Sequence, residues 1–163
     1  HRPELLDLSS TVAEIVHQFS PIAEQAQMKL TTEGLSQPIH VRADRDAIRQ
    51  CLVNLLDNAR KYAGDEPQVR VVVERTGGRA QLSVMDNGPG VWPGERNRIF
   101  ERFERGDEER TGTIPGLGIG LHLAKTLVER DGGTLTHAEL QNGEHGAHFV
   151  ATWPVIDTLE ETT

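Results

Sequence analysis

The chain has 163 residues, a net charge of −8 and 36% hydrophobic residues, which fits one globular domain large enough to bury a core. The acidic balance excludes general nucleic-acid binding, which needs a basic surface, and neither a membrane-spanning apolar run nor a signal peptide is found. A single cysteine, Cys51, excludes an internal disulfide and a thiolate metal cluster.

The N-terminal part is predicted to form a strand, a helix and two further short strands. Their expected ranges are Glu4–Leu8, Thr11–Ala26, Lys29–Thr32 and His40–Arg42. Ser9 or Ser10 is expected to cap the helix, because a hydroxyl can accept a hydrogen bond from its first free amides.

The segment Arg49–Ala63 is predicted to be an amphipathic helix. Its apolar residues recur at steps of three and four: Ile48, Leu52, Leu55 and Ala59. Asn54, Asn58 and Lys61 form a neighbouring polar stripe. Carboxamide oxygens can bind a hard cation and an ammonium group can bind phosphate, so the stripe is a candidate magnesium–nucleotide site. A solvated polar face explains the same pattern equally well.

The remaining sequence is predicted to hold a β-hairpin, a helix and two more strands. The expected ranges are Gln68–Arg75, Ala80–Asp86, Ile119–Arg130, Thr134–His137 and Ala147–Trp153. Residues 87–118 are rich in glycine, proline and charge, which is typical of a functional lid. We therefore expect an α+β fold, a two-layer sandwich in which three helices cover one face of a mixed, mostly antiparallel sheet.

Two glycine-rich motifs flank the lid. Asp86–Gly90 (D-N-G-P-G) follows a strand, so its carboxylate can accept a hydrogen bond from an amino group such as that of adenine. Gly88 and Gly90 would let a flat ring approach closely. In Gly116–Leu121 (G-L-G-I-G-L), alternating glycines precede a helix, and their bare amides can bind polyphosphate. The alternatives are a plain turn and a flexible hinge, respectively.

Three other patterns are less specific. Gly132–Thr134 is explained by a helix stop and turn about as well as by a functional role, and Arg98–Arg105 fits either a surface turn or a lid element. The seven histidines show no metal-ligand spacing.

Taken in order, five motifs resemble the N, G1, F, G2 and G3 boxes of sensor histidine kinases. They are N-L-L-D-N-A-R-K-Y-A, D-N-G-P-G, R-I-F-E-R-F-E-R, G-L-G-I-G-L and G-G-T. The resemblance extends from about Leu8 to Pro154, and it is specific because all five boxes occur in the family's order and spacing. It implies the catalytic and ATP-binding domain of such a kinase, in the superfamily shared with DNA gyrase, chaperone and mismatch-repair ATPases.

The resemblance implies that the cofactors are ATP and Mg²⁺. Asn58 would be the main magnesium ligand with Asn54 lining the same site, Lys61 would reach the phosphates, and Asp86 would select adenine. Asn58 and Lys61 would thus act in catalysis. The other implied nucleotide-binding residues are Tyr62, Gly88, Gly90, Gly116, Leu117, Gly118, Ile119, Gly120, Leu121, Gly133 and Thr134.

The resemblance also implies a division of the chain. Residues 1–8 would be the end of a linker and the first strand, 9–154 the catalytic domain with its lid at about 87–118, and 155–163 a frayed acidic tail. Phe100 and Phe103 would anchor the lid, and Arg98 or Arg102 would touch phosphate or the partner domain.

The implied activity is transfer of the ATP γ-phosphoryl group to a histidine on a separate dimerisation domain, from which a response regulator is phosphorylated. The family's acceptor motif is absent, and His17 is the nearest candidate only by position. An ATPase clamp of the same superfamily and a nucleotide-binding regulatory module are the alternatives. We expect the isolated domain to be monomeric, to bind no nucleic acid and to be cytoplasmic, in a parent protein attached to the inner face of the cell membrane.

Overall fold

The structure is a computed structural model that describes residues 1–62, 64–88, 119–138 and 146–157. In these parts of the chain, three helices and a mixed five-stranded sheet form an α+β fold, which confirms the predicted fold class. The predicted lid beyond Gly88, with Arg98, Phe100, Arg102 and Phe103, lies outside the described residues.

The predicted elements of the described chain are present, with bounds shifted by a few residues. The strands are β1 Glu4–Asp7, β2 Lys29–Glu33, β3 His40–Ala43, β4 Gln68–Thr76, β5 Arg79–Asp86, β6 Thr134–Ala138 and β7 His148–Pro154; the helices are α1 Leu8–Gln25, α2 Arg45–Tyr62 and α3 Ile119–Arg130. The main sheet has the order β2-β4-β5-β7-β6, and only its β2–β4 pair is parallel. Strands β1 and β3 form a separate antiparallel pair.

Helix α1 is capped by Asp7, not by Ser9 or Ser10 as predicted. The Asp7 carboxylate accepts hydrogen bonds from the amides of Ser9 and Ile39, both at 3.0 Å. The Ser9 hydroxyl instead donates to the carbonyl of Gln37 at 2.6 Å. A carboxylate can accept from two amides at once, so this cap also fixes the chain that leads into β3 next to β1.

The core lies between the main sheet and the helices. Alternate residues of β4 point into it: Val69, Val71 and Val73 are buried, whereas Arg70 and Glu74 are exposed. Facing them are buried side chains of α2 and α3, among them Leu52, Leu55, Leu56, Ala124 and Val128. This period-two pattern in the strand and the three-to-four pattern in the helices are what the sequence predicted.

Two carboxylates join the N-terminus of α2 to the C-terminus of α3. Asp44 accepts a hydrogen bond from the Asp46 amide (2.9 Å), and Asp131 accepts one from the Asp44 amide (3.0 Å). The amide of Arg2 also donates to Asp44, which lowers the pKa of that carboxyl, whereas burial raises the pKa of Asp131. His1 Nε2 lies 3.0 Å from Asp131 Oδ1. The two helices are therefore fixed together at this end.

The chain just beyond Pro154 is held in place, although the sequence predicted fraying there. The amide of Val155 donates to the Gly78 carbonyl and that of Ile156 to the His40 carbonyl, each at 2.8 Å. Residues 158–163 lie outside the described chain. None of the described helices combines the length and the apolar character required to span a bilayer.

Cys51 provides a test of how tightly α2 packs. Its thiol is fully buried, and burial raises its pKa to about 12. We expect no alkylation by iodoacetamide at pH 8 in the native domain and complete alkylation in denaturant, because the thiolate is the reactive form. Mass spectrometry would count the adducts, and the denatured sample is the control. Rapid alkylation of the native protein would contradict this packing of α2.

Candidate functional site

The polar stripe of α2 lies at the border between the core and the solvent. Asn54 and Asn58 are half-buried, and Lys61 is exposed. The side chain of Asn58 makes no hydrogen bond to any other described residue, so both groups of its carboxamide are available to a ligand. Because Asn58 is only half-buried, its carboxamide can hydrogen-bond either to solvent or to a ligand.

Lys61 is held by an acidic neighbour on its own helix. Its Nζ lies 3.0 Å from Asp57 Oδ2, and Arg60 donates to Asp57 Oδ1 at 2.6 and 3.0 Å. Partial burial acts to raise the pKa of Asp57, but the hydrogen bonds from Arg60 and Lys61 outweigh it and hold the pKa below its usual value. All three side chains are about one-third exposed, so the Lys61 pair contributes little stability. A phosphate group could therefore displace Asp57 from Lys61 at small cost.

Asn54 connects α2 to the first turn of α3. Its Nδ2 donates to the carbonyl of Gly120 at 3.2 Å. Ile119 begins α3, and Leu121 is half-buried and packs against the core. Gly120 is thus placed beside the polar stripe, as the predicted phosphate site requires. Gly116, Leu117 and Gly118 lie outside the described residues.

The carboxylate of Asp86, at the end of β5, is held in a fixed orientation. Its Oδ1 accepts hydrogen bonds from the amides of Gly88 (2.9 Å) and Ala147 (3.0 Å). Burial raises the pKa of Asp86, and these two hydrogen bonds act in the opposite direction. Both bonds use Oδ1, so among the described residues Oδ2 remains open to a donor on a ligand.

Gly146 and Ala147 also belong to this site, and the sequence analysis did not include them. Gly146 has a φ of +130°, and a Cβ there would lie 1.7 Å from the carbonyl oxygen of Asp86. Only glycine allows this approach. The one signal in the sequence was a glycine directly before a predicted strand, and the identity of its neighbour across the sheet could not be seen.

Asn87 fixes the turn after β5 to the chain that follows α2. Its Oδ1 accepts from the Gln68 amide at 2.9 Å, and its Nδ2 donates to the Glu66 carbonyl at 3.3 Å. Helix α2 also packs against β5. The turn that carries Asp86 is therefore attached to the chain that follows α2. Tyr62 is the last residue of α2, and its side chain is outside the described part of the structure. The same is true of Gly90 as a whole.

The predicted binding wall at Gly133 and Thr134 is not in this region. Thr134 pairs with Thr152, their hydroxyls 2.6 Å apart, whereas Asp86 contacts Ala147. Thr152 is five residues further along the chain than Ala147, which corresponds to about 16 Å of strand. A Cβ at Gly133 would lie 2.2 Å from the Thr152 carbonyl oxygen, so this glycine serves close packing of the turn against β7. The sequence could not reveal which end of the sheet the motif would reach.

The donor groups of the site suit a magnesium ion that is shared with phosphate. The described residues contain no group of three His, Cys, Asp or Glu side chains that could hold a metal ion. Magnesium commonly uses one or two protein oxygens together with waters and substrate phosphates. The free carboxamide of Asn58 fits that second arrangement, so the residues present are compatible with Mg²⁺–nucleotide and not with an all-protein metal cage.

Comparison with known proteins agrees with this geometry. Residues 43–157 match the family model for the histidine kinase-, DNA gyrase B- and HSP90-like ATPases. The sensor protein KdpD of Escherichia coli is 36% identical over 136 residues, which cover 78% of this chain and 15% of KdpD. The chain spans less than half the length of the curated relatives it matches.

Solved structures show the same fold. The catalytic domain of histidine kinase ThkA has a TM-score of 0.80 at 22% identity, covering 94% of this chain and 96% of that one, and ThkA has also been solved in complex with the response regulator TrrA. Full-length ShkA in complex with AMPPNP has a TM-score of 0.79 at 27% identity, covering 96% of this chain and 32% of that one. The chain therefore belongs to the histidine kinase-, DNA gyrase B- and HSP90-like ATPase family, as an ATP-binding catalytic domain of the sensor histidine kinase type.

Proposed function

We propose that this domain binds Mg²⁺–ATP between the stripe of α2, the start of α3 and Asp86, and transfers the γ-phosphoryl group to a histidine on a separate dimerisation domain of its parent protein. The observation that carries the proposal is the fixed Asp86 carboxylate with one open oxygen, next to a turn that Asn87 attaches to the chain following α2. The nucleotide in the ShkA complex, an ATP analogue, supports the ligand class.

Adenine recognition is assigned to Asp86. Its Oδ2 accepts a hydrogen bond from the exocyclic amino group of adenine. The amides of Gly88 and Ala147 bind Oδ1 and keep it turned away from the base. A guanine ring presents a carbonyl at the same position, which would face the carboxylate without a proton between them. The site should therefore prefer adenine to guanine nucleotides.

The phosphates are assigned to the other end of the site. The side-chain oxygen of Asn58 would hold the Mg²⁺ that accompanies the nucleotide, and Lys61 would exchange Asp57 for a phosphate oxygen. The glycines 116 and 118 and the first turn of α3 supply main-chain amides. Bound Mg²⁺ would neutralise charge on the transferring group. The remaining contribution is positioning, since phosphoryl transfer requires the acceptor nitrogen to lie in line with the leaving oxygen.

The partners follow from the same activity. The acceptor histidine is supplied by the dimerisation domain, and a response regulator receives the phosphoryl group next, as the ThkA–TrrA complex suggests. We propose a catalytic domain at 9–154, preceded by the end of a linker and followed by an acidic tail. The isolated domain would be a monomer, and its parent would be anchored at the inner face of the cell membrane.

An ATPase clamp is less consistent with α2. Hydrolysis needs a carboxylate that can activate water, and the acids of α2 are Asp46 and Asp57. Asp46 lies in the first turn and is paired with Arg49, and Asp57 is paired with Arg60 and Lys61. A regulatory module that only holds nucleotide is the other alternative, and activity separates it from a kinase.

Phosphoryl transfer can be tested with the parent's dimerisation segment expressed separately. With γ-labelled ATP and Mg²⁺, we expect label on that segment that is stable to base and labile to acid, as phosphohistidine is. Mutating the acceptor histidine should remove it. Release of inorganic phosphate without labelling would favour the clamp, and nucleotide binding with neither product would favour the regulatory module.

Asn58→Ala should abolish the magnesium-dependent part of nucleotide binding. We expect the affinity for a non-hydrolysable ATP analogue to fall by at least about tenfold in Mg²⁺, since a hydrogen bond or ligand to a charged group contributes about 1.5–3 kcal/mol. Calorimetric titration with and without Mg²⁺ measures this. Gln50→Ala, which removes an exposed carboxamide from the same helix, is the matched control. Wild-type affinity in the Asn58 variant would remove that residue from the site.

Asp86→Ala should weaken the binding of adenine nucleotides and reduce the preference for ATP over GTP, because the acceptor for the exocyclic amino group is lost. The expected loss for the ATP analogue is about tenfold or more, measured by the same titration. Asp157→Ala serves as control, because among the described residues this exposed carboxylate forms only a weak ion pair, with Arg75 at 3.9 Å. If Asp86→Ala kept the same ATP affinity and the same preference over GTP as Asp157→Ala, adenine recognition would lie elsewhere.

A further inference from the structure

The side-chain nitrogen of Asn54 makes a hydrogen bond to α3, next to the proposed site. Its Nδ2 donates to the main-chain carbonyl of Gly120, 66 residues further along the chain, at 3.2 Å. The sequence had suggested instead that Asn54 lines the magnesium site through its oxygen. The two roles use opposite ends of the same carboxamide.

The orientation of this carboxamide follows from chemistry. A main-chain carbonyl can only accept a hydrogen bond, so the group that faces Gly120 must be the NH₂. An aspartate at the same position would place a carboxylate against the carbonyl oxygen, with no proton between them. Asparagine and aspartate would therefore act oppositely in this contact, although both offer an oxygen to a metal ion.

The hydrogen bond joins the two helices where the nucleotide would lie. Asn58 is one turn after Asn54 on α2, about 6 Å along its axis, and Gly120 is in the first turn of α3. At their other ends α2 and α3 are already joined through Asp44 and Asp131. The Asn54 bond is thus the second attachment between the helices. A Cβ on Gly120 would lie 3.8 Å from Asn54 Cγ, an ordinary contact, so the link depends on the carbonyl and not on the missing side chain.

We infer that Asn54 is a positioning residue, whose amide hydrogen bond to the Gly120 carbonyl holds the start of α3 at a fixed distance from Asn58. This rests on the proposed function for its consequence, since the fixed distance matters only if phosphate binds between the two helices. The hydrogen bond itself exists without nucleotide, and it can be tested without nucleotide.

The test compares Asn54→Ala and Asn54→Asp with the wild type. Gln50→Glu, which makes the same carboxamide-to-carboxylate change on the exposed face of α2, is the control for helix charge. Hydrogen–deuterium exchange of residues 120–124 is measured without nucleotide. We expect faster exchange in Asn54→Ala, still faster exchange in Asn54→Asp, and wild-type exchange in Gln50→Glu. Unchanged exchange in both Asn54 variants would overturn the link.

Calorimetry with the ATP analogue then separates the two roles. We expect affinity to fall about three- to tenfold in Asn54→Ala and further in Asn54→Asp, with the Mg²⁺ concentration for half-maximal binding unchanged. Binding by Asn54→Asp as tight as wild type, with a lower Mg²⁺ requirement, would make Asn54 a metal ligand and contradict the inference. Absence of binding by the wild type would count against the proposed function alone, because the exchange experiment tests the link separately.

Discussion

The orientation of Asp86 depends on main-chain amides from two segments that are 59 residues apart. Gly88 follows Asp86 in the turn, whereas Ala147 comes from the start of β7, and both donate to the same oxygen. Such a carboxylate cannot rotate without breaking both bonds, and its half-buried position makes a broken bond costly. Its free oxygen is therefore held in one orientation, which the proposed recognition of adenine requires.

The two helices that complete the site are joined at two places. Asp44 and Asp131 connect the N-terminus of α2 with the C-terminus of α3, and the bond from Asn54 to Gly120 connects them next to the site. Between these points they share buried side chains. Asn58 and Lys61 consequently lie on a rigid support, while Lys61 itself is in an exposed ion pair that phosphate can replace. Rigid placement with one exchangeable contact is what preorganised phosphate binding requires.

Much of the fold could be predicted from the sequence because it follows from local patterns. The alternation in β4 and the three-to-four spacing in α2 each determine which side chains are buried, and both were confirmed. The cap by Asp7, the pairing of β1 with β3 and the place of Gly146 could not be predicted, because each depends on residues that are distant in sequence. The position of Thr134 could not be predicted for the same reason: the motif was recognised, but the sequence does not show which end of the sheet it reaches.

The most direct test of the account is amide chemical-shift mapping by NMR. The labelled domain would be titrated with a non-hydrolysable ATP analogue and Mg²⁺. The account predicts the largest shifts at Gly88 and Ala147 for the base and at Asn58 and Gly120 for the phosphates, with little change around Thr134 and its partner on β7. Shifts concentrated near Thr134, with none at Ala147, would place the nucleotide at the opposite end of the sheet and contradict the account.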